Sequence, residues 1–599
     1  MIPAPRTLTE LFLGAVSRGN RPGVAMRHKR DGRWVDVPHA ELLAKVEALT
    51  VALRELGVRP GDRVGLMAEN RPEWAIVDYA CLCARAMDVP IYPTLPGRQV
   101  AYILNDAGVE VLFASTKAQV EKARAIRGDV PALRHVIALD ADAAGGDVRT
   151  LDAVLADGRA ALARHAGWRE EALAAEPGEL ATLIYTSGTT GDPKGVMLTH
   201  ANLVSNVVAA IEALAIDDRD ECLSFLPLSH IFERMAGHYL MLHQGVVINY
   251  AGGIETVAPD MLEVKPTVML SVPRLYEKIH ARVLEGARNS GAVKRALFAW
   301  ALRTGLAWSE HVLTGKRVPA ALDLQQRVAD RLVFAKIRER TGGRVRTFVS
   351  GGAPLNPEVA RFFFAAGLPI LEGYGLTETS PVITVNRSAR VKIGTVGPTL
   401  PGVEVRIAED GEILTRGPHV MRGYWHKPEA TAEVLAADGW FHTGDIGELD
   451  GDGFLRITDR KKDLIVTAGG KNIAPQPIEN LAKTSRFVSN AVMIGDRRKF
   501  PVMLVVPQLE PLKLWAEHER LLFQNDADLV ALPEVQAKMD RELRKVLRDL
   551  AQFEMPKKFL LLPHDFTIEA GELTPKLSVR RRVIEERYRE PIEALYRGG

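Results

Sequence analysis

The chain has 599 residues, with 77 Lys and Arg against 75 Asp and Glu, a formal net charge of +2, and 47% hydrophobic residues. A single core seldom grows past about 250–300 residues, so more than one domain is expected. The near-neutral balance excludes a global field that would draw nucleic acid or a membrane, and leaves only local basic patches for such contact. Cys81, Cys83 and Cys222 cannot form a disulfide framework and lack zinc-site spacing; they read as buried small hydrophobes in a reducing cytoplasm.

Near the N-terminus the only apolar run, Leu11 to Val16, is too short to span a bilayer, and a basic signal region is missing. No uninterrupted apolar stretch of about 18 residues follows, so a soluble or peripheral protein is expected. Leu42, Leu43, Val46, Leu49, Leu53 and Leu56 recur at helical spacing, stopped by Gly57 and Pro60-Gly61. Val64 to Met67 is a short strand, and Pro72 opens a second helix through Ala86. Val89 to Tyr92, Val109 to Phe113 and His135 to Leu139 read as further strands. The alternation resumes over 180–285 and 345–385, and predicts a layered α/β fold with largely parallel sheets.

Residues 285–340 differ, being helical and rich in Arg and Ala. Trp300, Trp308 and neighbouring Leu residues stand beside Lys294, Arg295 and Arg303. That pattern fits a membrane-surface helix, or the commoner packing of an amphipathic helix on its own core. A β-hairpin is expected at Asp450-Gly-Asp-Gly453, and a domain boundary near Arg460-Lys461-Lys462. The remainder is long enough for a small α/β domain.

Chemistry concentrates after the short strand Leu183 to Tyr185. Thr186-Ser187-Gly188-Thr189-Thr190-Gly191 places four hydroxyls and two glycines in six residues, followed by Asp-Pro-Lys194-Gly195. Glycines let backbone N–H groups converge, hydroxyls add donors, and Lys194 adds a point charge, which is how a phosphate chain is gripped. No Walker A spacing can be drawn through it.

This run resembles the signature loop of the acyl-activating, adenylate-forming enzymes, and further motifs follow in that superfamily's order. Gly351-Gly352-Ala353-Pro354 resembles the adenine-side loop. Glu372-Gly373-Tyr374-Gly375-Leu-Thr377-Glu378 resembles the second nucleotide motif, and Phe441-His-Thr-Gly-Asp445 the ribose motif. Thr458-Asp-Arg460-Lys-Lys462-Asp463 resembles the interdomain hinge, and Gly469-Gly470-Lys471-Asn-Ile the strand and loop after it. The match spans about residues 20 to 590, and six ordered motifs are far more specific than one.

The resemblance implies a large N-terminal domain of layered α/β sheets, residues 1–460 with the helical insert 285–340, and a small mobile C-terminal α/β domain, residues 461–599. It implies ATP, Mg²⁺ and CoA. Activating a carboxylic acid needs alignment and charge neutralisation rather than a protein nucleophile. By the family pattern Glu378 and Thr186 lie at the metal, and Thr377 at the α-phosphate. Tyr374 stacks on adenine, and Asp445 and Arg460 reach the ribose. Lys462 is the pivot, and Gly469, Gly470 and Lys471 border the pantetheine arm of CoA. Viewed alone, Glu378 would start a helix capped by Thr377, and Asp445 would be a turn aspartate.

Pro227-Leu-Ser-His230-Ile-Phe-Glu-Arg234 and Ser271-Val-Pro-Arg-Leu-Tyr-Glu-Lys278 resemble long-chain fatty acyl-CoA synthetases, with His230 expected near the reacting carboxylate or in the shell behind it. The C-terminal segment Leu573-Thr-Pro-Lys576-Leu-Ser578-Val-Arg-Arg581 departs from the pattern. The position of the family lysine holds Ser578, so Lys576 is expected to substitute, with Arg580 as the competitor. The leading reading is a cytoplasmic long-chain fatty acid–CoA ligase with peripheral contact at the inner face of a membrane left open. A ligase loading an acyl carrier protein, a ligase for another carboxylic acid and a non-catalytic lipid-responsive binding protein are the alternatives. Oligomeric state and preferred chain length are not legible.

Overall fold

The computed structural model describes residues 5–17, 23–186, 192–461, 463–468, 471–567, 570–573 and 579–597. By its packing the chain divides into two units. Residues 1–406, 414–442 and 451–455 form the first; 407–413, 443–450 and 456–599 form the second.

The first unit holds two eight-stranded sheets. One runs in the order Val382–Val385, Ile370–Gly375, Thr347–Ser350, Val268–Ser271, Glu221–Ser224, Val247–Tyr250, Val24–Arg30 and Arg33–Pro38. The other runs Gly423–Tyr424, Lys194–Thr199, Leu180–Thr186, Met87–Ile91, Arg63–Met67, Val111–Ala114, His135–Ala138 and Arg149–Thr150. Most of their pairs are parallel, and the antiparallel pairs lie toward the sheet ends, including Leu180–Thr186 with Lys194–Thr199. Strands such as Val111–Ala114 and Val268–Ser271 are buried throughout because helices cover both faces. The expected early elements are present as helix His39–Glu55, strand Arg63–Met67 and helix Pro72–Cys83. All three cysteines are free and buried; burial pushes the Cys83 thiol up to about 12, far from reactivity.

The helical insert comprises Pro273–Arg288, Ala292–Leu313, Ala320–Ala329 and Ala335–Glu339, with a π turn at Asp330–Phe334. Phe298, Trp300 and Leu302 pack against the cluster containing Phe334, Phe362 and Phe363, so this side of the Trp-rich helix faces the protein's own core. Leu324, Val328 and Leu332 are instead exposed, at 64%, 44% and 43%.

The second unit is built on strands Val488–Ile494, Val502–Pro507 and Lys558–Leu561. Successive side chains of the middle strand alternate between faces. Met503 and Val505 join one apolar cluster, while Val502, Leu504 and Val506 join another. Strands Phe441–Leu449 and Leu455–Arg460 are neighbours in a four-stranded sheet, joined at the expected Asp450–Gly453 turn. Gly453 takes φ 80°, which a side chain would resist there. Among the described residues no helix is long and apolar enough to cross a membrane.

Candidate active site

Strand Leu180–Thr186 returns as strand Lys194–Thr199, with Tyr185 opposite Gly195 and Thr186 opposite Lys194. Ser187, Gly188, Thr189, Thr190 and Gly191 lie outside the described residues. Gly195 admits close packing that a Cβ would block, at 3.0 Å from Tyr185 Cζ and 3.3 Å from Trp425 Cβ. The Tyr185 hydroxyl donates to Asp106 Oδ2 at 2.6 Å, which fixes that ring beneath the loop's exit.

Tyr424 links Lys194 to Glu378, and the sequence motifs do not point to it. Strand Gly423–Tyr424 adds antiparallel to Lys194–Thr199, with Tyr424 opposite Val196. The Lys194 ammonium lies 4.9 Å from the centre of the Tyr424 ring. The Tyr424 hydroxyl donates to Glu378 Oε1 at 2.9 Å, and Met421 N donates to the Glu378 carbonyl at 2.8 Å. Burial and the neighbouring Glu378 raise the Tyr424 phenol above its ordinary range, so it stays a donor. Lys194 and Glu378 thus meet at a ring from a distant strand, with Thr186 opposite Lys194 on the neighbouring strand. The only weak signal was an aromatic pair, Tyr424-Trp425, following a glycine.

Thr377 does not cap a helix at Glu378. Thr377–Thr379 is a single 3₁₀ turn. The Thr379 hydroxyl accepts from Leu376 N at 2.9 Å and donates to Pro381 O at 2.6 Å. The turn is tight because Gly375 lets the chain close: a Cβ there would stand 1.7 Å from Pro381 O. Thr377 is buried and Glu378 half-buried.

Strands Val268–Ser271, Thr347–Ser350 and Ile370–Gly375 are parallel neighbours, with Ser271 opposite Ser350 and Ser350 opposite Glu372. Their carboxyl ends therefore bring Val272–Arg274, Gly351–Pro354 and the last residues of the third strand, Gly373–Gly375, to one edge, where open α/β sheets take ligands. Gly352, Ala353 and Pro354 are exposed there, and Tyr374 is buried. The Glu372 carboxyl accepts backbone N–H bonds from Leu355 and Gly394, and burial pushes it up to about 7. Its side chain braces the Gly351–Pro354 loop.

The Pro227–Arg234 segment reaches the same edge. A Cβ on Gly351 would meet the Phe232 ring at 3.1 Å, so that ring lies against the loop's backbone. His230 Nδ1 accepts from Phe232 N at 3.1 Å. A neutral His230 then carries its proton on Nε2, which makes that nitrogen a donor.

In the second unit, Arg460 Nε stands 3.3 Å from Asp445 Oδ1, so the two expected ribose contacts are adjacent. Asp445 is buried and Arg460 exposed. Asp445 N donates to Thr443 Oγ1 at 3.1 Å, and Gly444 N to Glu412 Oε1 at 2.9 Å. Lys461 Nζ donates to Glu412 and Asp410 at 2.9 and 2.6 Å. Lys471 is exposed, with its ammonium 5.9 Å from the Phe553 ring centre. Lys462, Gly469, Gly470, Lys576 and Ser578 lie outside the described residues. Among the described residues no group of three or more His, Cys, Asp or Glu gathers as a metal cage. Glu378 is a hard oxygen donor, of the kind Mg²⁺ takes where substrate phosphates supply further oxygens.

Two layered α/β sheets with loops at their carboxyl edges, and a small α/β unit after them, define the adenylate-forming architecture. The adenylation domain of a carboxylate reductase from Mycobacterium chelonae has the same fold, at TM-score 0.75 and 24% identity, over 98% of this chain and 91% of that one. The family model described as AMP-binding enzyme matches residues 17–425, and that of the AMP-binding enzyme C-terminal domain matches 462–599. The chain belongs to the AMP-binding enzyme family. It is 38% identical to the long-chain-fatty-acid–CoA ligase FadD15 of Mycobacterium bovis, over 99% of both chains. It is 34% identical to the peroxisomal long chain acyl-CoA synthetase 7 of Arabidopsis thaliana, over 94% of this chain and 82% of the relative.

Proposed function

We propose that the chain is a long-chain fatty acid–CoA ligase. It activates a fatty acid with ATP to an acyl-adenylate, then forms the CoA thioester, releasing pyrophosphate and AMP. The end-to-end similarity to enzymes named for this reaction carries the reading. The meeting of Lys194 and Glu378 at Tyr424, with Thr186 opposite Lys194, supports it from the geometry. Ser187–Gly191 and Lys194 hold the phosphates; Gly352–Pro354 and Tyr374 hold adenine; Asp445 and Arg460 hold the ribose. Glu378 and Thr186 would hold Mg²⁺, which neutralises phosphate charge as pyrophosphate leaves. Thr377 donates to the α-phosphate, and His230 Nε2 donates to the fatty-acid carboxylate. The catalytic domains divide as 1–460 and 461–599, with Lys462 as pivot and Gly469, Gly470 and Lys471 beside the CoA arm. Fatty-acid-driven ATP–pyrophosphate exchange across chain lengths, followed by thioester assay with CoA and with an acyl carrier protein, tests this. Exchange without CoA thioester would favour the carrier-protein reading. No exchange with any fatty acid would sink both.

We also place a peripheral membrane contact on the insert. Residues 291–340 hold ten Lys and Arg against four Asp and Glu. Leu324, Val328 and Leu332 recur every fourth residue on its exposed side, with exposed Arg327 and Arg331 beside them. An apolar stripe with basic flanks matches an anionic lipid surface. Sedimentation with phosphatidylglycerol vesicles, but not phosphatidylcholine vesicles, is expected, and should be lost in Leu324→Ser/Leu332→Ser.

A further inference from the structure

Glu233 and Arg234 end the Pro227–Arg234 segment and have no part in the reading above. Glu233–Tyr239 forms a π-helical turn, a form that persists mostly where function holds it. Both side chains are buried, and they tie the turn to different sheets. Arg234 pairs with Asp78 and, at 2.9 Å, with Asp88. It also donates to Thr182 Oγ1 at 2.8 Å, on the strand that delivers the phosphate-gripping loop. Glu233 Oε1 accepts from Ser224 Oγ at 2.6 Å, at the end of a strand in the other sheet. Ser224 Oγ accepts from Asn70 Nδ2 at 3.3 Å. Asn70 also donates to Leu226 O at 2.6 Å and accepts from Leu228 N at 2.9 Å. The residues leading to His230 are therefore held by Asn70 on one side and by the Glu233–Ser224 bond at their root.

Glu233 is an unusual choice for a mere packing group. Its Oε2 has no hydrogen-bond partner among the described residues, and Gly237 lies so close that a Cβ would stand 2.5 Å from Oε1. The titratable groups facing it are the Cys222 thiol and the Tyr250 phenol, both raised by burial and neutral. Burial pushes Glu233 itself up to about 8. A half-satisfied buried carboxyl costs stability that an apolar residue would not, so a role beyond packing is called for.

We propose that Glu233 is a positioning residue for fatty-acid activation: through Ser224 it fixes the Phe225–Ile231 loop, so that His230 and Phe232 meet the Gly351 edge in one arrangement. The proposal rests on the reading of His230 as the carboxylate-side group. Three variants test it: Glu233→Ala, Glu233→Gln and Asn70→Ala, assayed by ATP–pyrophosphate exchange with fatty acid and ATP varied separately, and by thermal melting. In Glu233→Ala, kcat/KM for fatty acid should fall about 10- to 100-fold, the range a small misplacement produces, with KM for ATP within about twofold of the parent. Glu233→Gln should restore most of the loss, because it keeps the acceptor for Ser224. Asn70→Ala, which acts on the same loop from a half-buried site, should shift the same parameter, and it decides the matter if Glu233→Ala fails to fold. Equal effects on both substrates, an unchanged fatty-acid kcat/KM in a folded variant, or a Gln variant no better than Ala would overturn it. A parent protein without fatty-acid-driven exchange would instead overturn the ligase reading beneath it.

Discussion

A phenol between an ammonium and a carboxylate does two jobs that can be separated by one oxygen. Tyr424→Phe keeps the ring beside Lys194 and removes the 2.9 Å donor to Glu378. Such a bond contributes about 1–3 kcal/mol. We expect kcat/KM in ATP–pyrophosphate exchange to fall about 5- to 100-fold, with a higher Mg²⁺ requirement and an almost unchanged melting temperature. An unaltered Mg²⁺ titration would remove Tyr424 from the metal side of the site. His200 gives a residue-scale test of stability. Its Nδ1 accepts from Leu8 N at 3.1 Å, anchoring helix Leu8–Val16, and burial pushes it down to about 4. The folded value lies below the free value near 6.5, so the contribution is present above about pH 6.5 and lost as pH falls through 4. His238 and His419, also pushed down to about 4 by burial, act in the same window. The urea midpoint should decline from pH 6.5 to 4, and His200→Asn, which keeps an acceptor but cannot titrate, should decline less steeply. An equally steep decline would show that the helix anchor is not a titrating group.

Elements were legible where burial makes sequence periodic. The parallel strands read as short apolar runs because both faces are covered, and the early helices read from Leu and Val spacing. What the pattern hid was long-range. Strand Gly423–Tyr424 has only two residues, and its place beside Lys194–Thr199 follows from pairing across more than two hundred residues. Asp78 and Asp88 were the missed clue, since a carboxylate inside an apolar run must find a partner, and Arg234 is that partner. The Trp-rich insert shows the limit in another way. Composition fitted both a core helix and a lipid-facing one, and which residues face the core depends on helix Ala292–Leu313 crossing Phe334 and Ala365 at Gly305. A Cβ there would stand 2.7 Å from Phe334 Cζ and 3.0 Å from Ala365 Cβ. Gly305→Val should therefore lower unfolding stability by about 1–3 kcal/mol through overpacking, read from the urea midpoint. Full stability in that variant would mean that the crossing can open without loss.

At the scale of the whole molecule, the six motifs made the two-step chemistry legible, because each motif carries its own spacing. The C-terminal segment broke its pattern, and there the sequence left a choice between Lys576 and Arg580. The described frame of that segment is firm. Leu573 bridges to Val579, and Arg580 N donates to Glu572 O at 2.8 Å. Glu572 is buried and accepts from Thr567 N at 3.1 Å and from the Tyr588 hydroxyl at 3.2 Å. Arg581 is held by Glu479 at 2.6 Å and by Met493 O at 2.5 Å. Arg580 belongs to that frame, with its Nη1 only 3.5 Å from Gly571 O, while Lys576 lies outside the described residues. A group that neutralises charge in the transition state should be one that the described frame does not already hold. Lys576→Ala is thus expected to lower fatty-acid-driven ATP–pyrophosphate exchange about 100-fold or more, the loss typical of a removed charge-stabilising donor. Thioester formation from supplied acyl-adenylate and CoA should continue in that variant, since the charge on the leaving pyrophosphate is no longer involved. Arg580→Ala should leave exchange within a few-fold of the parent and lower the melting temperature instead. If Arg580→Ala abolishes exchange while Lys576→Ala does not, the assignment reverses, and Arg580 rather than Lys576 supplies the charge.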